Sequence, residues 1–298
     1  MNDILYHIIL LPLKAISLMP FRILYGLSDL VYLILRYIIH YRHSVIKGNL
    51  ERSFPEKDAM EIRAITGRFY RHLADCIFET IKLLHISDKQ LDGHIKVHGG
   101  ETIERLASDG RPIIVFLGHY GNWEWVQEVT RHYEHPKTNT EIYRPIRNKA
   151  IDKLMLRIRS RFGTIAIPQH KAVRALLRMS QERRQFLVGF LADQRPNSKN
   201  LHNWTTFLNQ ETAYATGGEE IGRRVGSHFV YLNIEKPLRG HYVMTFQEMS
   251  PTTDTSTGNP YTLLFLHLLE KDIRKAPEYW LWSHNRWKFD REGNIIHK

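Results

Sequence analysis

Apolar residues fall into two kinds of pattern along this chain, and the change between them marks its organisation. Ile4 to Leu13 is almost wholly apolar, Pro12 and Pro20 punctuate the stretch, and Ile23 to Ile39 resumes with Asp29 and Arg36 as its charged positions. On helical spacing Leu24, Leu27, Val31, Ile34, Leu35 and Ile38 share a broad face, away from Ser28, Asp29 and Arg36. A spanning helix needs roughly 20 apolar residues, and the run from 23 to 39 is shorter and carries two charges. It reads as an interfacial helix or a short anchor, against a buried helical hairpin as the competing reading. No small-residue cleavage pattern of a signal peptide follows it. Arg36, His40, Arg42, His43 and Lys47 make a basic flank on its C-terminal side. If the segment spans, that flank places the rest of the chain in the cytoplasm. The expected division is a membrane-associated helical segment over 1–45 and one folded domain over 46–298.

Beyond Pro55 the pattern is that of a globular protein. Ile62, Ile65, Phe69, Leu73, Ile77, Ile81 and Leu84 have the spacing of an amphipathic helix over 59–84. Short β-like runs follow at 95–97, 113–117, 141–143, 164–167, 186–191, 229–234 and 242–246. Helical stretches near 123–132, 149–162, 172–181, 213–225 and 261–275 lie between or after them. Strands alternating with helices predict an α/β fold whose sheet is mostly parallel and covered on both faces. The last two strands, joined through Pro237-Leu-Arg-Gly240, read as a hairpin, so the sheet should be mixed.

Composition adds one asymmetry. Of the 298 residues 42 are Lys or Arg and 31 Asp or Glu, a net charge of +11, which suits a nucleic acid, an anionic membrane surface or a phosphorylated substrate. No nucleic-acid-binding module is recognisable, and the apolar N-terminus speaks against that class. The single cysteine, Cys76, excludes an intrachain disulfide and a cysteine-based zinc site. Its apolar helical setting beside Ile77 and Phe78 reads as core packing rather than as a nucleophile.

Candidate chemistry gathers after the apolar run Ile113–Leu117, where Gly118-His-Tyr-Gly-Asn-Trp-Glu124 follows. Catalytic groups in open α/β sheets collect at the carboxyl ends of strands. Asn122 is a good helix N-cap, and Glu124 would sit in the first turn, where the helix dipole favours a carboxylate. Five residues apart, His119 and Glu124 could not share one face of a continuous helix, but the turn at Gly121 allows Glu124 to swing back. A carboxylate bonded to one imidazole nitrogen fixes the tautomer and raises the basicity of the other. No serine or cysteine partner is evident, so the nucleophile would be the substrate's own hydroxyl. A helix-capping Glu beside a surface His is the plainer alternative. The spacing is not that of an H-E-x-x-H zinc site, so neither a metal nor a cofactor is expected.

Four blocks in order give the chain a family resemblance: Arg42-His-Ser-Val-Ile-Lys-Gly-Asn-Leu50 with Ser53-Phe-Pro-Glu56, Leu117-Gly-His-Tyr-Gly-Asn-Trp-Glu124, Leu191-Ala-Asp-Gln194, and Pro277-Glu-Tyr-Trp-Leu-Trp-Ser-His-Asn-Arg-Trp-Lys288. The sequence resembles the bacterial lipid A biosynthesis lauroyl/myristoyl acyltransferases from about residue 20 to residue 290. The resemblance implies a mixed sheet wrapped by helices, like that of glycerol-3-phosphate acyltransferases, with an N-terminal membrane helix. It also implies an acyl-thioester donor, usually acyl carrier protein, a glycolipid acceptor such as a lipid A precursor, and a place at the cytoplasmic face of the inner membrane.

In such a family His119 of the H-x4-E motif would take the proton from the acceptor hydroxyl, with Glu124 orienting it and stabilising its cation. Arg144 and Arg159 look like substrate-side arginines, with Arg157 and Arg161 as neighbours one register away. Asp193 and Gln194 end another apolar strand and would line the same site. Arg286 and Lys288, among the tryptophans of the last block, are phosphate candidates. Two departures bear on the acceptor and chain length. Thr206-Phe-Leu-Asn209 stands where a proline-aromatic-aromatic-glycine block is usual, and Asn285 where a second arginine is common. An acyltransferase for another glycolipid or aminolipid, or a thioesterase or lipid hydrolase using His119 to activate water, are the alternatives.

Overall fold

A computed structural model describes residues 2–251 and 258–296. Among these the strands are β1 (Ile95–His98), β2 (Ile113–Leu117), β3 (Thr138–Tyr143), β4 (Ile165–Pro168), β5 (Phe186–Leu191), β6 (Trp204–Phe207), β7 (Gln210–Ala213), β8 (His228–Leu238) and β9 (His241–Glu248). The helices are α1 (Asn2–Leu18), α2 (Phe21–Leu33), α3 (His43–Ser53), α4 (Ala59–Lys82), α5 (Asp88–His94), α6 (Gly100–Ala107), α7 (Lys149–Arg159), α8 (Ala172–Gln181), α9 (Gly217–Arg224) and α10 (Pro260–Lys275). Seven strands form one sheet in the order β1-β9-β8-β2-β5-β3-β4. Every pairing in it is parallel except the β8–β9 hairpin. The mixed, mostly parallel α/β architecture expected from the alternation of elements is present.

β2 lies between β8 and β5, and all five of its residues are buried, as a strand covered on both faces requires. Phe116 stacks on Phe229 and Phe265, so the β2–β8 layer and α10 share one aromatic core. α4 begins at a reciprocal cap: Asp58 accepts from the Met60 and Glu61 amides, and Glu61 accepts from the Asp58 amide.

Three expectations change. The helix expected from Ala213 starts at Gly217, because 210–213 is β7, paired antiparallel with β6. Leu208 and Asn209 form the turn of that hairpin with φ of 51° and 59°, the left-handed geometry that two-residue hairpins prefer. Asn tolerates it; Leu208 does so at a cost and is held there by complete burial. The helical stretch after the motif is a 3-10 helix, Trp123–Arg131, rather than an α-helix. α1 runs on through Pro12 instead of breaking there.

The N-terminal helices are docked on the rest of the chain. Ser28 Oγ donates to Asp75 Oδ1 at 2.7 Å, and Arg239 bridges Asp75 and Asp29, so a buried carboxylate of α4 fastens α2 to the β8–β9 turn. Much of the shared apolar face packs inward: Leu24 is buried, and Val31 and Leu35 lie against the core. On the outside Ile4, Ile8, Leu11, Ile23, Leu30, Leu33, Ile38 and Ile39 remain exposed. Among the described residues no single helix is long and apolar enough to cross a membrane; α2 with its π-helical end bends by 88° into α3.

Candidate active site

β2 and β5 are adjacent and parallel, with Leu117 opposite Leu191. Each strand therefore delivers the residue two positions past its end to the same place. Those residues are His119 and Asp193. His119 Nδ1 donates to Asp193 Oδ1 at 2.7 Å, and the His119 amide donates to Asp193 Oδ2 at 3.0 Å. Trp280 Nε1 donates to Oδ2 as well, at 2.8 Å. Burial works to raise the Asp193 pKa, but the His119 ring, the Trp280 indole and the His119 amide bring it down to about 2.

The loop that carries His119 is sewn to the C-terminal block. Gly121 N donates to Tyr279 O, and Leu281 N donates to His119 O, both at 3.0 Å. Gly121 has a φ of +61°, and a Cβ there would fall 2.6 Å from Ile234 Cγ2, so both conformation and space call for glycine. From α4, His72 and Cys76 approach the Gly121 carbonyl. Cys76 is buried and its thiol is pushed well up by that burial, which fits its packing role. Asn122 caps the 3-10 helix by accepting from the Glu124 amide, and its Nδ2 donates to the buried Glu79.

Glu124 does not make the contact expected of it. No hydrogen bond or ion pair joins it to His119 among the described residues; Asp193 holds the imidazole instead. Glu124 accepts two hydrogen bonds from Arg159 in α7, Nε at 3.0 Å and a terminal nitrogen at 2.6 Å. The reason is geometric. Glu124 stands in the first turn of the 3-10 helix Trp123–Arg131, and its side chain meets Arg159 at the C-terminal end of α7. Glu141 of β3 is the second carboxylate on Arg159, 3.8 Å from Nε. Burial raises the Glu141 pKa to about 7, with Arg159 pulling it down and Glu124 pushing it up. Burial works against the charge of Arg159, but Glu124 and Glu141 hold it protonated more firmly than an ordinary arginine.

This settles the register of α7: Arg159 faces Glu124, Arg157 bonds Tyr6 Oη, and Arg161 bonds the Leu83 and Ile86 carbonyls. Gln194 joins the histidine, its Nε2 3.2 Å from His119 Nε2. Arg144 is exposed, and its charge adds to the burial that lowers the pKa of Arg195. Arg286, a phosphate candidate from the sequence, is enclosed. It is 3% exposed and donates to Ala213 O, with Nε and one terminal nitrogen unpartnered among the described residues. Burial lowers its pKa to about 10 although Asp193 supports its charge. Lys288 lies over Phe289, partly exposed, and Arg195 approaches the same ring. Sequence reasoning passed over Glu141, which stood inside an ordinary strand pattern, and the Trp280 bond, whose only signal was a tryptophan in a polar block.

A family model described as bacterial lipid A biosynthesis acyltransferase matches residues 2–289. The chain belongs to that family. This acyltransferase is 23% identical over 275 residues to the lipid A biosynthesis palmitoleoyltransferase of Escherichia coli strain K12, covering 91% of this chain and 86% of that one. It is 25% identical over 282 residues to the lipid A biosynthesis lauroyltransferase of the same organism, covering 92% and 88%. A lipid A biosynthesis acyltransferase of Shigella flexneri is similar at 23% identity over 275 residues. The matched span takes in the acyltransferase's N-terminal helices together with every site residue above.

Proposed function

We propose that this acyltransferase moves a fatty acyl chain from an acyl thioester of acyl carrier protein to a hydroxyl of a lipid A precursor, with His119 as general base. The observation that carries this reading is the bond from His119 Nδ1 to Asp193. An ionised carboxylate at Nδ1 keeps the proton there and leaves Nε2 as the free basic nitrogen. His119 Nε2 would take the hydroxyl proton as the oxygen attacks the thioester carbonyl. Collapse of the tetrahedral oxyanion expels the thiolate, which takes the same proton back from Nε2; the products are an ester and a free thiol. Asp193 steadies the imidazolium between the two transfers. Gln194, whose amide stands at Nε2 in this state, yields its place to the acceptor hydroxyl.

In this reading the H-x4-E glutamate acts through its arginine: Glu124 fixes the Arg159 guanidinium at the edge of the site, where it can face an anionic acceptor. Arg144 and Lys288 face outward and suit phosphate groups of a glycolipid. The exposed apolar residues of α1 and α2 support an interfacial seat on the cytoplasmic face of the inner membrane, beside the basic flank at 36–47. α2 being apolar on its inner and outer sides is the feature a soluble surface helix would lack.

The test is transfer from acyl carrier protein to a lipid A precursor by the purified chain and by His119→Ala, with products resolved by mass spectrometry. The expected result is an ester-linked acyl lipid from the wild type and none from the folded variant. Near-wild-type turnover by His119→Ala would remove the base. Free fatty acid formed equally with and without acceptor would make the protein a hydrolase.

A further inference from the structure

Two buried carboxylates of α4, Asp75 and Glu79, stand one helical turn apart and both accept from α2. Asp75 takes the Ser28 hydroxyl and fastens the helices together. Glu79 reaches further. Its side chain is completely enclosed and accepts three hydrogen bonds: from Tyr25 Oη of α2 at 3.0 Å, and from Asn122 Nδ2 and Tyr242 Oη, each at 2.7 Å. Its main-chain carbonyl accepts a fourth, from Trp125 Nε1 at 2.9 Å. Burial, and after it Glu79, push both tyrosine hydroxyls well above their ordinary pKa, so they stay donors. A buried carboxylate is costly without partners, and an acceptor-only group suits a place where three donors converge.

One residue thus grips the start of the 3-10 helix at Asn122 and Trp125, on either side of Glu124. Asn122 Oδ1 accepts from the Glu124 amide at 3.2 Å while Glu79 holds its Nδ2, so its side chain cannot turn over without breaking both bonds. Glu124 in turn fixes Arg159. Phe21 of α2 meets the Trp125 ring edge to face, with centroids 6.2 Å apart. The helix whose Ile23, Leu30 and Leu33 stay exposed therefore reaches the 3-10 helix twice, through that ring contact and through Glu79.

We propose that Glu79 is a positioning residue of the acyl transfer, holding Asn122 and through it the Glu124–Arg159 pair, and that α2, through Tyr25, is a working part of the site rather than a detachable anchor. Glu79 is enclosed on all sides, so it acts through these neighbours and not on a substrate. The inference rests on the acyl-transfer reading, so one arm of its test needs no turnover.

The first arm is steady-state kinetics of the full chain in a neutral detergent, with kcat taken per folded molecule. Asn122→Asp sets a second carboxylate against Glu79 and should lower kcat about 10²-fold, the scale of a misplacement of about 1 Å, with the KM for the carrier-protein donor unchanged. Adding Glu79→Gln to Asn122→Asp returns a donor to that contact and should recover kcat about tenfold, the opposite of additive losses. A double variant no faster than Asn122→Asp alone would overturn the proposal. Tyr25→Phe should lower kcat about tenfold. Ser28→Ala removes another bond between α2 and α4 without touching Glu79 and should leave kcat within about twofold. Equal losses in Tyr25→Phe and Ser28→Ala would mean that α2 needs only to be docked, and would overturn the role of Tyr25. The second arm is hydrogen exchange of the segment 118–131, read by mass spectrometry without substrate. Tyr25→Phe should speed exchange there about tenfold over both the wild type and Ser28→Ala. Unchanged exchange in Tyr25→Phe would overturn the proposal whatever the kinetics. Faster exchange in that variant beside a wild type that transfers no acyl group would sink the acyl-transfer reading alone and leave the hold on Asn122 standing.

Discussion

His119 and Asp193 are joined twice, ring to carboxylate at 2.7 Å and amide to carboxylate at 3.0 Å. One aspartate thus fixes both the main chain and the ring tautomer of His119. The pairing follows from two parallel neighbouring strands ending at the same level, each with its polar residue two positions on. In the proposed reaction it makes Asp193 the positioning residue of His119, and it leaves Glu124 to hold Arg159.

Asp193→Asn should therefore lower kcat by about 10³- to 10⁴-fold with little change in KM, the scale on which loss of the correct imidazole tautomer acts. An amide at this position can donate to Nδ1, which forces the proton onto Nε2 and blocks it as a base. Steady-state kinetics with a saturating thioester donor measures the split. A matching rise in KM with kcat intact would assign Asp193 to substrate binding instead.

Glu124 and Arg159 should behave as one unit. Their side chains are only 13% and 17% exposed, so removing either leaves a charge in a poorly hydrated place. Glu124→Gln and Arg159→Met are each expected to cost about 3 kcal/mol of stability, and the double variant less than the sum. Urea unfolding of the four proteins closes the cycle. Strict additivity would show that the bidentate contact contributes nothing. In activity, Glu124→Gln should resemble Arg159→Met, both raising the KM for the acceptor more than that for the donor.

The sequence made the alternation of strands and helices legible because the sheet is buried on both faces, and its strands are the short apolar runs that such a sheet needs. β2 and β5 have the boundaries the pattern predicts. The β6–β7 hairpin was not legible, since Thr206-Phe-Leu-Asn209 contains no glycine to announce a turn and Leu208 adopts a left-handed conformation that leucine rarely takes. At the site, His119, Asp193 and Gln194 could be named because strand ends are marked in sequence. Which carboxylate reaches the histidine could not, because that depends on strand order. Nothing in a linear pattern shows that residues 74 positions apart are nearer than residues five apart.

Glu141 gives the site a pH dependence near neutrality. Its pKa is raised from an ordinary 4.5 to about 7. The protonated form is favoured by folding, so its stabilising contribution is complete below about pH 4.5 and is lost as pH rises through about 7. Glu141→Gln carries no such proton. Between pH 5 and pH 8 the wild type should lose about 2–3 kcal/mol of stability relative to this variant. Unfolding free energies measured across that range check the slope. Parallel curves for the two proteins would show that Glu141 stays ionised throughout, sharing Arg159 with Glu124 at no cost.

Trp280→Phe separates packing from hydrogen bonding at the same centre. The substitution keeps an aromatic ring between Trp282, Trp287 and Phe207, and removes the indole N–H that reaches Asp193. Part of its cost is the cavity left at a position 3% exposed, and that part is independent of pH. The other part is a hydrogen bond to an ionised carboxylate, about 1.5–3 kcal/mol, and it exists only while Asp193 is charged. Asp193 has its pKa lowered from 3.8 to about 2, so its contribution is complete above the ordinary value and disappears as pH falls through about 2. The stability difference between wild type and Trp280→Phe should accordingly be constant above about pH 4 and narrow toward pH 2, leaving the packing part behind. Acid titrations of both proteins followed by near-ultraviolet circular dichroism would show it. A difference that stays constant down to pH 2 would mean that the indole serves as a wall alone, and that the amide of His119 and its ring suffice to hold Asp193 charged.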